Sequence, residues 1–124
     1  LPPLEPAPEP PAQLPGVTAE TISLGSALFT ENCSICHSNQ PRAPLPDLRR
    51  MRRGTHAIFD RVVLEGLLLP NGMPRFDDVL TKEQVQAIHA WLIDEQSKLR
   101  PRELQLQAEG KPLDSRSLTI MSNF

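Results

Sequence analysis

A chain of 124 residues with a formal net charge of −2 fits one small domain and offers nucleic acid no basic tract with interleaved aromatics. No apolar run approaches the roughly eighteen residues of a membrane span. With no leader at its start and no initial methionine, the chain is expected to be a processed or excised product.

Residues 1–16 hold seven of the fourteen prolines. That density favours polyproline II, which has no internal hydrogen bonds, and predicts a semi-rigid spacer reaching roughly 45 Å. A first helix is expected from Thr18, as cap, to Asn32, with Glu20 in the first turn favoured by the helix dipole. Ile22, Gly25, Leu28 and Phe29 recur at helical spacing on its apolar face. Glycine costs about 1 kcal/mol in a helix interior, so Gly25 points to a close helix crossing.

The next five residues, Cys33-Ser34-Ile35-Cys36-His37, carry the chemistry. Two cysteines two residues apart, followed at once by histidine, form the attachment signature of a c-type haem. Each thiol can add to one porphyrin vinyl group, and His37 then lies under the iron as an axial ligand. Two other readings compete. Half of a zinc site would need a second ligand pair, and His56 and His89 do not resemble one. A thioredoxin-like dithiol would need a strand–helix alternation that the chain lacks.

Pro46-Asp47-Leu48 is placed to offer the Pro46 carbonyl to the second ring nitrogen of His37, although spacing alone leaves this even with a simple proline turn. Arg42, Arg49, Arg50, Arg52, Arg53 and Arg61 make a local basic cluster. One or two are candidates to hold haem propionates and others to steer an acidic partner, against the alternative of a solvated surface of mixed sign.

A second helix is expected from Thr55, as cap, to Gly66, with Ile58, Phe59, Val62 and Val63 inward. Beyond it, Met73 sits in the loop Asn71-Gly72-Met73-Pro74. A thioether suits haem iron, and Pro74 restricts Met73 to extended backbone, so Met73 is the candidate second axial ligand. Its rivals are Met51 in the arginine-rich segment, Met121 in the tail, His56, expected to be solvated, and His89, expected to face outward or meet a local partner. A third helix runs from Lys82 to about Lys98, with Thr81 and Gln84 at capping-box spacing and Val85, Ile88, Trp91 and Leu92 as its buried stripe. Pro101 marks its expected limit. Residues 101–124 form an extension that either docks through residues such as Leu104, Leu106, Leu113, Leu118, Ile120 and Phe124 or is disordered.

Residues 20–98 resemble a class I cytochrome c domain, through Gly25 and Phe29, the Cys33–His37 motif, Pro46-Asp47-Leu48-Arg49, Gly72-Met73-Pro74 and Ala90-Trp91-Leu92. The resemblance implies an all-α fold of three to four helices around one covalent haem c. It further implies a crossing of first and last helices through Gly25, Phe29 and Trp91, and a bond from His37 to the Pro46 carbonyl. More narrowly, His56 to Phe59, Val62 to Gly66 and Asn71 to Thr81 are similar to the cytochrome domain of PQQ-dependent quinohaemoprotein alcohol dehydrogenases. In those enzymes the domain follows a catalytic propeller across a proline-rich linker, which residues 1–16 match. Ser38 departs from the glycine that commonly follows the haem histidine.

The expected organisation is a linker at 1–16, a cytochrome domain at 17–100 and an extension at 101–124. The expected function is single-electron relay in the periplasm, from a PQQ-dependent dehydrogenase domain or subunit to another cytochrome, a blue-copper protein or an oxidase. The chain alone is expected to oxidise no alcohol. The alternatives are a free-standing periplasmic cytochrome and a haem sensor or peroxidase-like protein with a displaceable sixth ligand.

Overall fold

Helix caps written into the sequence start both long elements of the architecture. In the computed structural model, which describes residues 5–37 and 46–113, α1 spans Ala19–Asn32. The Thr18 hydroxyl accepts the Thr21 amide at 3.3 Å while Thr21 Oγ1 accepts the Thr18 amide at 3.2 Å, closing a capping box. Thr81 and Gln84 do the same at the start of α5, Lys82–Ala108. Between them lie the single turn α2 (Ser34–His37), α3 (Arg53–Ala57) and α4 (Phe59–Leu64), with 3-10 turns at Leu48–Arg50 and Leu69–Asn71. The described residues contain no strand, and the all-α class expected from the sequence is observed.

The two long helices cross at Gly25. A methyl group there would stand 2.6 Å from the Ala87 carbonyl carbon and 2.9 Å from Trp91 Cβ, so only glycine admits this approach. One turn further along, the Phe29 and Trp91 rings meet with centroids 4.8 Å apart. Leu28, Leu48, Met51, Phe59, Val63, Leu80, Val85, Ile88 and Leu92 form the core beside the crossing. Met51, a rival axial ligand by residue type, is core filler.

Three expectations are corrected here. The second helix is two short ones: Ile58, at φ −114° and ψ 14°, interrupts it, and Thr55 lies inside α3 rather than capping it. His56 is buried, not solvated; of the two expectations for His89, outward-facing or partnered, the second is observed, with His56 as its partner. The third helix passes straight through Pro101 to Ala108. Proline in a helix interior costs about 3 kcal/mol. Contacts beyond it, made by Glu103, hold the helix together. Met121, Leu118, Ile120 and Phe124 lie outside the described residues, as do Ser38 and Arg42.

Those contacts involve the proline segment. Residues 5–14, expected as a spacer, lie against α5 without regular structure of their own. The Ala7 amide donates to Glu103 Oε1 at 2.9 Å, and Arg100 donates to the Ala7 carbonyl at 2.9 Å. Gln96, fully buried, donates to the carbonyls of Pro8 at 2.9 Å and Met51 at 3.0 Å. Both hydrogens of its amide are thereby used, so its oxygen faces His56 and must accept from His56 Nε2 at 2.8 Å. His56 Nδ1 is then an acceptor, and His89 Nε2 donates to it at 2.9 Å. One chain of donors fixes both tautomers.

Two outcomes are expected. Replacing Gly25 with alanine forces the helices apart and lowers the stability of the chain by about 1–3 kcal/mol or more, read from denaturant unfolding. An unchanged midpoint would remove the crossing. Burial, followed by the neighbouring His56, pushes the His89 pKa down to about 4, and burial also lowers that of His56. Between pH 6.5 and about 4 the unfolded chain therefore binds more protons than the folded one, so stability falls as pH falls through that window. Thermal unfolding across it, compared with His89→Gln, should show a wild-type slope that the variant flattens.

Candidate functional site

The Cys33–His37 motif is one helical turn hung on the end of α1. The Cys33 amide donates to Phe29 O at 2.8 Å, and the His37 amide donates back to Cys33 O at 2.8 Å. This turn sets two thiols and an imidazole on a single short support. Both cysteines are free, Cys33 half-buried and Cys36 exposed. Burial, then the neighbouring Cys36, pushes the Cys33 thiol up to about 11. Reactive redox dithiols have thiol pKa values below the ordinary one, so the environment of Cys33 is opposite to theirs.

His37 Nδ1 stands 3.0 Å from the Pro46 carbonyl, which can only accept. The proton is therefore on Nδ1, and Nε2 carries the lone pair. Burial lowers the His37 pKa, while Pro46 and Asp47 oppose the shift without reversing it. The ring is neutral and can give electrons to a metal without first losing a proton.

A cavity of about 460 Å³ opens beside it, lined by Phe29, Thr30, Ser34, His37, Asp47, Leu48, Arg49, Trp91, Leu92 and Glu95. Its apolar lining is Phe29, Trp91 and Leu92 from the α1–α5 crossing with Leu48, and its charged lining is Asp47 and Arg49 from the turn after Pro46 with Glu95 from α5. Asp47 is buried and caps that turn by accepting the Arg49 amide at 3.0 Å. It also takes Arg49 Nε at 3.0 Å and Nη2 at 2.7 Å. Burial opposes the Arg49 charge, but the Asp47 bonds and the nearby Asp47, Glu95 and Glu103 carboxylates outweigh it and raise its pKa.

Four of the six residues singled out from sequence meet here: Cys33 and His37 on one turn, Pro46 bonded to His37, and Arg49 on the cavity wall. Cys36 shares the turn but faces out. Met73 does not line the cavity. It is half-buried and packs against the core cluster, as do Phe29 and Trp91, which line the cavity. Gly72, at φ 97°, and a bond from the Met73 amide to Leu68 O at 3.2 Å shape its loop. Among the described residues no group of three or more His, Cys, Asp and Glu side chains could hold a metal ion.

The family model described as "Cytochrome C oxidase, cbb3-type, subunit III" matches residues 20–92, across the motif, the cavity and the α1–α5 crossing. The chain belongs to the cytochrome c family. It is 39% identical over 98 residues to the quinohemoprotein alcohol dehydrogenase ADH IIB of Pseudomonas putida, a match covering 75% of this chain and 14% of that protein. It is 31% identical over 86 residues to a 1-butanol dehydrogenase (cytochrome c) of Thauera butanivorans, covering 67% of this chain and 12% of that one. The solved structure of quinohemoprotein alcohol dehydrogenase ADHIIG from Pseudomonas putida HK5 superposes with a TM-score of 0.68 at 34% identity, over 82% of this chain and 15% of that one. The chain therefore spans about a seventh of the length of the curated relatives it matches.

A cytochrome c carries covalent haem c and serves electron transport. The residues present fit that group. The cavity has an apolar face, a neutral imidazole with its lone pair on Nε2, and two unpaired thiols one turn away. Of the arginine cluster, Arg49 is committed to Asp47, Arg50 is ion-paired with Glu103 and donates to the Glu5 carbonyl at 3.0 Å, and Arg61 pairs with Glu65 at 3.4 Å. The cluster is not one basic face. Sequence reasoning gave Asp47 and Glu95 no role in the cavity. Their signals were the position of Asp47 directly after Pro46 and of Glu95 one turn beyond Trp91.

Replacing Asp47 with alanine removes the cap and the Arg49 fork together. The haem-loaded cytochrome should lose about 1–2 kcal/mol in denaturant unfolding, whereas Asp47→Asn, which keeps the cap, should lose less.

Proposed function

We propose that this cytochrome relays single electrons from a PQQ-dependent dehydrogenase domain or subunit to an acceptor outside the cytoplasm, in the periplasm. The acceptor would be another cytochrome, a blue-copper protein or an oxidase. The reading is supported by the likeness to quinohemoprotein dehydrogenases and carried by one observation, the His37 Nδ1–Pro46 bond at the cavity wall.

When bound, haem c supplies a one-electron iron couple. Cys33 and Cys36 would form the two thioether bonds. His37 would hold the iron through Nε2, with Pro46 keeping its proton on Nδ1 and making the ring a better donor. Met73 would be the second protein ligand to the iron, and its thioether would raise the reduction potential. Phe29, Leu48, Trp91 and Leu92 exclude water from one side. Arg49, with Asp47 beside it, supplies a donor for a propionate. With His37 and Met73 both holding the metal, small ligands would be kept off it, and the domain would perform no alcohol oxidation of its own.

Visible spectra of oxidised and reduced protein, with a pyridine haemochrome assay, test this directly. The expected result is one haem c per chain, low spin in both states, with a far-red methionine–iron band when oxidised. Met73→Ala should abolish that band, lower the potential and let the reduced protein bind carbon monoxide. Carbon monoxide binding by the unaltered protein, or a band that survives the substitution, would refute Met73 as ligand.

A further inference from the structure

The two ends of the cytochrome domain, a proline-rich segment and a helix that overruns a proline, meet in a buried polar seat. We propose that Arg50, Gln96, Arg100 and Glu103 form a receptor for residues 5–14, making that segment a fixed strap and not a swinging tether. Whatever polypeptide precedes residue 5 is then delivered to one place on the domain, beside the far end of α5.

The seat reads backbone. The carbonyls of Glu5, Ala7 and Pro8 accept from Arg50, Arg100 and Gln96 respectively, and the Ala7 amide donates to Glu103. Further along, Gln13 donates to the Ala90 carbonyl at 3.0 Å. Prolines at 6, 8, 10 and 11 remove competing amide donors and restrict the backbone, so little conformational entropy is lost on seating. Ala7 is completely covered, and so is Glu103.

The charges show what the seat is for. Arg50 and Glu103 are ion-paired with side chains 2% and 0% exposed. Taking such a pair out of water is expensive, and apolar residues would stabilise the fold as well or better. A buried carboxylate and guanidinium are instead well suited to bonding a peptide backbone that brings few donors of its own. Glu103 also lies beyond Pro101, in the part of α5 that a proline by itself disfavours.

For electron transfer the consequence is a defined approach of the donor, in place of diffusion on a linker of roughly 45 Å. That consequence rests on the function proposed above; the seat does not.

The test uses the haem-loaded 124-residue chain and amide NMR. The Ala7 amide should exchange at least about a hundredfold more slowly than in a free peptide of residues 1–16, with backbone order parameters for Glu5, Ala7 and Glu9 near about 0.85. Arg100→Met, a change at a partly exposed position, should speed Ala7 exchange about tenfold and leave α1 amides unchanged. Gln13→Ala should loosen residues 12–14 in the same way. Exchange at the peptide rate, or order parameters below about 0.6, would overturn the seat, as would an Arg100→Met effect spread evenly through α1. A mobile strap on a protein with the His/Met spectrum removes the seat alone. A seated strap on a protein with an open iron removes only the function proposed above.

Discussion

The crossing of α1 and α5 is the constraint on which the site depends. Gly25 lets the α1 backbone approach Ala87 and Trp91 to a distance that any side chain would forbid. From that closeness follow the ring contact of Phe29 with Trp91 and the position of the α1 terminus. Cys33 is tied to that terminus through Phe29 O, and the attachment turn hangs from Cys33. The direction in which His37 points is thus set by a missing side chain three turns earlier. Helix packing of this kind transmits position because protein interiors are close-packed and yield little to displacement.

The chemistry was legible because it is local. A thiol–thiol–imidazole motif is specified by spacing along the chain, and so are the cap at Thr18 and the capping box at Thr81 and Gln84. Each needs only neighbours within a turn, and the structure reproduces both caps. Gly25 was also legible, since a poor helix former amid a periodic apolar face calls for a packing reason. His56 was not. By propensity it follows a plausible cap and belongs in water, and its partners inside, the buried amide of Gln96 and the ring of His89, come from α5, more than thirty residues away. Pro101 misled for the same reason. The local penalty is real, but the compensating contacts come from the opposite end of the chain, where no periodicity records them. The walls contributed by Asp47 and Glu95 depend on the fold being in place first.

Charge is handled in two ways around the domain. Near the cavity, Asp47 and Arg49 pair within the single turn that follows Pro46, and Asp47 draws the His37 pKa upward against burial. Burial outweighs it and keeps the imidazole neutral, while the Pro46 carbonyl, which can only accept, fixes its tautomer. Away from the cavity, Arg50 and Glu103 are neutralised across more than fifty residues of sequence, between the 3-10 turn and the end of α5. The first pair acts on geometry within a turn. The second fastens distant parts of the chain.

These long-range fastenings converge on α5. Its first half meets Gly25 and the cavity, its middle carries Gln96 and the histidine network, and its last turns hold Glu103 and the proline segment. A single continuous helix is therefore in contact with the haem site at one end and with the chain's entry at the other. Ending it at Pro101, as the local rule prescribes, would separate the two and leave the buried guanidinium of Arg50 without its carboxylate. The penalty of a proline inside the helix, about 3 kcal/mol, is comparable to the loss from stripping a buried charge of its partner, about 3–5 kcal/mol. That balance explains why α5 runs on, and why the site and the entering segment belong to one rigid element.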